Sequence, residues 1–418
     1  MKFIHAADIH LDSPLSGLSA YRDAPVELLR TATRDAFSNL VSEAIEESVD
    51  FVVIAGDLYD GNWKDYNTGV FFSREMGRLN AAGIPVYLIY GNHDAESDTT
   101  KKLSLPANVH AFSANKPQTF RIPELKVALH GQSFKHAATT TNLVNGYPAP
   151  DTGWLNIGVL HTALEGYAAH ASYAPCSLAE LAAKGYQYWA LGHVHEFAEL
   201  SSDPWIVFPG NLQGRHIRET GQRGAVMVTA EEDSIVSVER IFTDVLRWHR
   251  LEVDVASAGD LAETVRLVGQ SLEKLIDDTP TTKPLAVRVV LSGRSAAHGD
   301  LFGDEARLRA ELLSLSASLA GDRIWIEKVR LETSPAMDAD MIRVRADAIA
   351  DLQVFLDAAP TDPVLLASLS EDLRTLVDRA PHELSDLLPE LKSIRSGEMG
   401  SMVASIIPGL VAHLVKAS

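Results

Sequence analysis

Five short signatures in the sequence combine carboxylate, amide and imidazole side chains at close spacing. They are Asp8-Ile9-His10, Gly56-Asp57, Gly91-Asn92-His93-Asp94, His161 and Gly192-His193-Val194-His195. Carboxylate oxygen together with imidazole nitrogen suits borderline divalent ions such as Mn²⁺, Fe²⁺ or Zn²⁺, whereas a cage of oxygen alone suits Mg²⁺ or Ca²⁺. A lone buried histidine is more often hydrogen-bonded core than a ligand. The prediction of a transition-metal site therefore rests on the combination.

Each signature follows a segment with the pattern of a β-strand. The segments are KFIHAA, DFVVIAG, IPVYLIYG, LNIGVLH and YQYWALGH, and helical stretches at 25–49 and 65–82 separate the first three. This alternation predicts a layered α/β fold. Ligands of such folds gather beyond the carboxyl ends of the strands, so residues distant in sequence can converge there. Because side chains two apart on an extended strand share a face, we expect each D-x-H or H-x-H pair to point the same way.

The pattern changes twice along the 418 residues, a length that suits two or three domains. Residues 1–245 carry the α/β pattern described above. Residues 246–335 alternate strand-like runs with helical ones, including a helix at 304–319, and predict a small α/β domain. Residues 336–418 have helical periodicity. We therefore predict three domains with these boundaries.

Composition limits the class of protein. The net charge of −19 argues against a nucleic-acid partner, although residues 246–335 are nearly balanced with 12 Lys and Arg against 14 Asp and Glu. The single cysteine, Cys176, excludes an internal disulfide and fits a reducing compartment. No stretch is apolar enough for a membrane helix and no signal segment opens the chain. We expect a cytoplasmic protein without a membrane partner.

The pattern D-x-H, G-D, G-N-H-[DE], H and G-H-x-H is complete and in order, and in this the sequence resembles the calcineurin-like metallophosphoesterase superfamily. The resemblance implies a four-layer α/β/β/α sandwich with a small α/β capping domain and C-terminal helices. It also implies two divalent metal ions, with Mn²⁺ the expected metal. The ligands that it implies are Asp8, His10 and His195 for one ion and Asn92, His161 and His193 for the other, with Asp57 between them.

The resemblance also implies an acid for the leaving oxygen. The family assigns that task to the position of His93, and imidazole suits it near neutral pH. Asp60 or Asp94 could orient His93 by accepting its second ring N–H, and surface solvation is an equal alternative for each carboxylate. Asp12, next to Ser-Pro, is interpreted as a turn residue and left out of the ligand set.

Within the superfamily, the opening HAADIHL and the segment GDLYD are similar to SbcD-type DNA repair exonucleases, in particular the bacterial YhaO-like branch. This resemblance implies DNA as the substrate, a cap that guides DNA, and C-terminal helices that dock an SMC-like coiled-coil ATPase. Arg215 and Arg218 are the predicted phosphate contacts, with solvated loop charge as the alternative. Two divalent ions in the cleft would offset the acidic net charge locally.

Three alternatives remain open at the sequence level. The same ligand set could serve a small-molecule phosphodiesterase or phosphatase, because the fold does not fix the leaving group. A catalytically silent adaptor that binds DNA is a second alternative, which the intact ligand set and His93 argue against. A homodimer is a third possibility that the sequence does not decide.

Overall fold

The computed structural model describes residues 1–13, 24–60, 66–96, 105–164, 173–336, 348–379 and 389–417. Within these residues the chain forms two compact units. The first comprises the N-terminal strand and the residues from Pro25 to Trp248, and the second begins at His249. Each unit has a hydrophobic core of its own.

The first unit contains two six-stranded sheets. The first sheet consists of β1 (Lys2–Ala6), β2 (Phe51–Ala55), β3 (Val86–Ile89), β4 (Val109–Ala111), β11 (Gly224–Glu231) and β12 (Ser234–Phe242). Their order is β12-β11-β1-β2-β3-β4. Strands β1 to β4 are parallel, whereas β11 and β12 are antiparallel to their neighbours. The carboxyl ends of β1, β2 and β3 therefore meet at one edge.

The second sheet has a similar plan. It consists of β5 (Gln118–Ile122), β6 (Val127–Gly131), β7 (Leu155–His161), β8 (Tyr188–Gly192), β9 (Ala198–Ser202) and β10 (Trp205–Phe208). Their order is β5-β6-β7-β8-β10-β9. The four inner strands are parallel, and the edge strands β5 and β9 are antiparallel to them.

The two sheets pack face to face between layers of helices. Alternate residues of a strand face opposite sides, so Phe3 and Val53 contribute to the core between the sheets while Ile4 contributes to the core beneath the helices. Helices α1 (Val26–Glu46) and α2 (Tyr66–Ala81) cover the first sheet, α3 (Asn92–Glu96) follows β3, and α4 (Leu178–Ala183) covers the second sheet. The predicted α/β/β/α sandwich is confirmed.

The second unit begins with a three-stranded sheet. Strands β13 (Arg247–Asp254), β14 (Leu285–Ser295) and β15 (Ile324–Pro335) lie in that order, and β14 and β15 are parallel. The helices are α5 (Leu261–Asp278), α6 (His298–Gly303) and α7 (Glu305–Ala320). Leu272 of α5 and Leu312 of α7 are fully buried in a core with Val287 and Ile326 of the sheet. This is the small α/β unit that the sequence pattern predicts.

Within the described residues after Ala336, four further α-helices follow in the second unit. They are α8 (Ala348–Ala358), α9 (Pro363–Arg379), α10 (Pro389–Arg395) and α11 (Met399–Ala417). Helix α11 packs against α6. Val354, Phe355 and Val364 remain largely exposed on α8 and α9. Of the helices in the described residues, none is both long and apolar enough to cross a membrane.

Candidate metal centre

The predicted ligands come together where the inner strands of the first unit end. Asp8 and His10 follow β1, Asp57 follows β2, and Asn92 follows β3. His161 is the last residue of β7, and His193 and His195 follow β8. His161 Nδ1 lies 2.9 Å from the carbonyl oxygen of Ala55, at the end of β2, so the strand ends of the two sheets meet. The structure therefore brings all seven residues together.

Within the described residues, two groups of predicted ligands could each hold a metal ion, and His10, Asp60 and His93 form a third cluster with ligand atoms within 4.8 Å of one another. In the first, Asp8, His10 and His195 place one ligand atom each within 4.8 Å of the others. In the second, Asp57, His161 and His193 do the same. Asn92 joins the second group, because its Oδ1 lies 2.9 Å from His161 Nε2. The division matches the ligand sets implied by the family resemblance, with Asp57 placed beside His161.

The donor atoms in these groups need a cation between them. His161 Nδ1 donates to Ala55, so the neutral ring directs the Nε2 lone pair at Asn92 Oδ1 and at Asp57 Oδ2, 3.4 Å away. In the first group, His10 Nε2 lies 3.2 Å from His195 Nε2. Lone pairs that face each other repel unless a proton or a metal ion lies between them. This donor set fits two divalent metal ions.

Burial shifts the pKa values of several predicted ligands. Asp8, His10, Asp57 and His161 are almost completely inaccessible to solvent. Burial raises the pKa of Asp8 and lowers the pKa of His10 to about 3. For His161, burial would lower the pKa, but the neighbouring charge of Asp57 and its hydrogen bond raise it to about 9. The buried carboxylates therefore attract positive charge to the site, which divalent metal ions would supply.

The backbone at the ligands is left-handed rather than extended. Asp8, His10, Asp57 and His193 have φ angles of 49°, 46°, 52° and 104°. Strand β1 ends at Ala6, so the extended backbone expected for the D-x-H pair is wrong, although the side chains of Asp8 and His10 converge as expected. The backbone N–H of Asp8 donates to the carbonyl oxygen of Gly56, and that of His10 donates to the carbonyl oxygen of Asp57. These hydrogen bonds hold the strained loop in place. Strained non-glycine residues of this kind concentrate at functional sites.

Two motif glycines leave the space that the ligands occupy. A Cβ on Gly91 would lie 2.2 Å from Asp57 Oδ1. A Cβ on Gly56, whose φ is +95°, would lie 2.4 Å from His161 Nδ1. The glycines of G-D and G-N-H are therefore required by close approach of the ligands, and at Gly56 also by the backbone conformation.

His93 lies at the exposed side of the site beside Asp60. Its Nδ1 is 3.2 Å from Asp60 Oδ1, and its side chain is 38% exposed. The hydrogen bond to Asp60 raises the pKa of His93. Asp60 Oδ1 also lies 3.5 Å from His10 Nδ1, and its Oδ2 accepts from the Ser13 hydroxyl. This carboxylate therefore touches both a predicted ligand and the predicted acid.

Asp94 occupies a different environment. Its Oδ2 accepts from the backbone N–H groups of Leu58 and Gly91, and its Oδ1 accepts from Tyr59. The side chain is buried, and burial together with the charge of Asp57 raises its pKa to about 7. Asp94 therefore ties the loop after β2 to the turn after β3 through three backbone donors.

The two predicted phosphate contacts differ in position. The Arg215 guanidinium lies 3.3 Å from the Ser13 hydroxyl and 4.0 Å from Asp60 Oδ1, and it is 14% exposed. Arg218 is exposed on the surface of the same loop. The structure therefore places Arg215 beside Asp60 at the metal centre, whereas the side chain of Arg218 faces solvent. Asp12, excluded as a ligand, forms a paired ionic hydrogen bond with Arg34.

Sequence reasoning missed Glu219 and Ser13. Glu219 Oε1 lies 2.8 Å from His195 Nδ1, and the carboxylate is buried. Burial would raise its pKa, but the hydrogen bond from His195 and the charge of Arg215 hold the pKa well below its ordinary value. No short motif marks Glu219, and only the loop after β10 brings it beside His195.

Comparison with known proteins agrees with this architecture. Residues 1–197 match the family model for calcineurin-like phosphoesterases, and residues 248–334 match the model for the middle domain of the metallophosphoesterase YhaO. The chain is 32% identical to the uncharacterized metallophosphoesterase YhaO of Bacillus subtilis (strain 168) over 345 residues. That alignment covers 82% of this chain and 83% of the relative.

More distant similarities extend to two further proteins. The chain is 24% identical over 310 residues to the DNA double-strand break repair protein Mre11 of Sulfurisphaera tokodaii, covering 70% of this chain and 74% of that protein. A crystal structure of a dimetal phosphatase from Danio rerio has a TM-score of 0.35 and 14% identity, covering 58% of this chain and 97% of that chain. The similarity to YhaO over most of both chains shows that this protein belongs to the calcineurin-like metallophosphoesterases, a family of phosphoester hydrolases that use a dinuclear metal site.

Proposed function

We propose that this protein is a dinuclear-metal-dependent DNA nuclease of the SbcD type that hydrolyses phosphodiester bonds in DNA repair. The observation that carries the phosphodiesterase chemistry is the convergence of the buried donor set beside the half-exposed His93–Asp60 pair. The similarity to Mre11 of Sulfurisphaera tokodaii, a DNA double-strand break repair protein, supports DNA as the substrate.

The seven predicted ligands would hold two divalent ions, with Mn²⁺ as the proposed metal because imidazole and carboxylate donors are mixed. Such a pair activates water and neutralises the charge of the phosphoryl oxygens when it is bound. His93 then protonates the leaving sugar oxygen, since its Nδ1 faces Asp60 and its ring has solvent access. Asp60 orients His93, and its hydrogen bond raises the pKa of His93, which favours the protonated form that donates to the leaving oxygen.

Asp94 is a weaker choice for orienting His93. Its carboxylate oxygens accept hydrogen bonds from three backbone N–H groups, so we propose that it braces the loops that carry Asp57 and Asn92. Arg215 lies among Ser13, Asp60 and Glu219, where its guanidinium can contact a substrate phosphate only at the edge of the site.

Arg218 is the proposed phosphate contact outside the metal centre. The side chain is exposed, and a surface arginine that neutralises one phosphate adds about one unit to the slope of log affinity against log salt. We expect Arg218→Ala to weaken DNA binding for all sequences and to reduce that slope by about one. Binding measured by fluorescence anisotropy at several salt concentrations provides the test, and an unchanged slope would remove Arg218 from the DNA-binding surface.

We further propose that the C-terminal helices bind an SMC-like coiled-coil ATPase. The exposed apolar side chains Val354, Phe355 and Val364 support a contact through α8 and α9. The unchanged chain should co-purify with the ATPase, and the Val354→Ser/Phe355→Ser double variant should do so much less. Equal capture of the two proteins would contradict this docking site.

The single buried cysteine supports the proposed cytoplasmic location.

The proposed function is tested by a substrate panel with the purified full-length chain. Metal-free protein is loaded with Mn²⁺, and hydrolysis of single-stranded DNA, double-stranded DNA, a cyclic nucleotide and an aryl phosphate diester is compared. The Asp57→Asn variant serves as the control for contaminating nucleases. We expect turnover of DNA. Turnover of only the small esters would support a small-molecule phosphodiesterase, and tight DNA binding without any hydrolysis would support an adaptor.

A further inference from the structure

A buried carboxylate lies directly behind one predicted metal ligand. Glu219 is 5% exposed, and its Oε1 is 2.8 Å from His195 Nδ1. The other ring nitrogen of His195, Nε2, faces the first ligand group, 3.2 Å from His10 Nε2. The imidazole of His195 therefore lies between a carboxylate on one side and the metal centre on the other.

The two nitrogens of a neutral imidazole cannot both carry a proton. A carboxylate oxygen only accepts, so the contact with Glu219 favours the tautomer that has its proton on Nδ1. That tautomer directs the Nε2 lone pair at the site, which is the form that binds a metal ion. Arg215 Nη2 also lies near Nδ1, at 3.3 Å, but the shorter contact with the charged carboxylate is the stronger one.

We propose that Glu219 is the positioning residue of this metal centre and holds His195 in its metal-binding tautomer. The inference rests on the proposed dinuclear site and extends it to a residue outside the family signatures. Metal-binding histidines in proteins commonly donate their second N–H to such an acceptor, which fixes the ring and its tautomer.

The orientation of the carboxylate is itself fixed by the loop. Glu219 Oε2 accepts from the backbone N–H of Arg215 at 2.7 Å and from Asn211 Nδ2 at 2.9 Å. In a Glu219→Gln variant the amide oxygen must take this position, because both partners are donors. The amide NH₂ would then face His195 Nδ1, where Arg215 Nη2 also donates. The near-isosteric change therefore inverts the tautomer and places an N–H toward the metal.

Glu196→Gln is a matched control. Glu196 is adjacent to His195 in sequence, and its carboxylate binds Arg223 Nη2 rather than a ring nitrogen. The substitution removes the same charge from the loop that carries His195, between β8 and β9, and leaves Glu219, the Nδ1 partner of His195, in place. A difference between the two variants therefore reports the contact with His195 and not net charge.

The test measures the tautomer without metal and then the metal affinity. Full-length metal-free protein labelled with ¹⁵N-histidine is examined by two-dimensional NMR, with the His195 signals assigned by difference from His195→Asn. Mn²⁺ binding is then measured by electron paramagnetic resonance of the free ion. We expect the Nδ1–H form in the native chain and in Glu196→Gln, and the Nε2–H form in Glu219→Gln. One Mn²⁺ site should weaken about 10- to 100-fold in Glu219→Gln while the other is unchanged.

Two results would overturn the proposal. One is an unchanged tautomer with both Mn²⁺ affinities retained in Glu219→Gln. The other is loss of both sites together with a lower unfolding temperature of the metal-free variant, which would make Glu219 a structural brace. If the native chain bound fewer than two Mn²⁺ ions, the proposed metal centre would fail, whereas the tautomer measurement would still decide the role of Glu219.

Discussion

At the scale of single residues, the site separates groups that hold charge from groups that move a proton. Six of the seven predicted ligands are buried, so their lone pairs have no solvent to face, and only His195 is partly exposed, at 22%. His93 is 38% exposed and touches Asp60, which raises its pKa. A residue in this position can exchange protons with solvent, whereas His10 and His161 cannot do so readily. Each chemical role therefore depends on depth in the site as well as on residue type.

Replacing His93 by Ala should separate rate from metal binding. We expect both Mn²⁺ affinities to stay unchanged, because His93 is not one of the seven predicted ligands. Its ring nitrogen does lie within 4.8 Å of ligand atoms of His10 and Asp60, so a weakened Mn²⁺ site in this variant would make His93 a ligand. Loss of a general acid should lower the rate of DNA hydrolysis about 10²- to 10⁴-fold. An aryl phosphate diester, whose leaving group needs little protonation, should lose less. Equal losses on both substrates in steady-state assays would contradict the acid role.

Asn substitutions should distinguish the two carboxylates near His93. In Asp94→Asn, an NH₂ group replaces one of the two accepting oxygens. The variant therefore loses the hydrogen bonds from Leu58 and Gly91 or the one from Tyr59, and the free energy of unfolding should fall by about 1–3 kcal/mol. Asp60→Asn should instead lower the rate with little change in stability, because Asp60 is partly exposed. Denaturant unfolding and DNA hydrolysis are measured on both variants. The reverse result would assign the orienting role to Asp94.

At the scale of elements, the inner strands bring distant signatures to one place, and buried polar contacts join the two sheets. His5 of β1 is an example, since its Nδ1 lies 3.0 Å from the Tyr188 hydroxyl of β8 and its Nε2 lies 3.0 Å from the Leu191 oxygen. In the neutral ring, Nε2–H donates to Leu191 and Nδ1 accepts from Tyr188. This contact holds β1 beside β8 just before their chains reach the metal ligands.

Protonation of His5 should make stability depend on pH. Burial lowers its pKa to about 3, below the ordinary 6.5. The unfolded chain therefore binds the proton first, and stability falls as the pH drops from about 6.5 toward 3, by at most about 1.4 kcal/mol per unit from this group. His5→Gln should show a smaller slope of unfolding free energy against pH in metal-free buffer. The exposed His136→Gln is the control, and equal slopes in all three proteins would contradict the assignment.

At the scale of the whole molecule, a net charge of −19 coexists with a proposed nucleic-acid substrate. The carboxylates of the ligand groups belong to that negative charge, and two bound divalent ions would add about four positive charges at the same place. Local potential at the cleft can thus oppose the potential of the surface as a whole. Net charge alone is a poor guide to the substrate of a protein of this family.

Metal should also stabilise the folded chain as a whole. Ions that bind only the folded state raise its stability by about 2.7 kcal/mol when the free concentration is 100 times Kd. We expect Mn²⁺ to raise the unfolding temperature of the chelator-treated protein, and Asp57→Asn to lose most of that increase. Differential scanning calorimetry in Mn²⁺ and in EDTA measures both. An equal increase in Asp57→Asn would mean that Mn²⁺ binds elsewhere.

The sequence by itself determined the layered fold and the donor types. The predicted helices at 25–49, 65–82 and 304–319 correspond to Val26–Glu46, Tyr66–Ala81 and Glu305–Ala320, because periodicity and strand-ending glycines are local signals. The order and spacing of the signatures sufficed to name the seven residues that meet. The predicted boundaries near 245 and 335 stay predictions, although the structure divides the described chain after Trp248.

Only the tertiary structure decided how these residues are held. The left-handed backbone at Asp8 and His10 depends on hydrogen bonds to the loop after β2, which no local pattern records. The choice between Asp60 and Asp94 depends on which oxygen lies near His93, and Glu219 reaches His195 across a gap of 24 residues. Local spacing specifies which atoms can bind a metal, whereas long-range packing determines which partner fixes their charge, tautomer and direction.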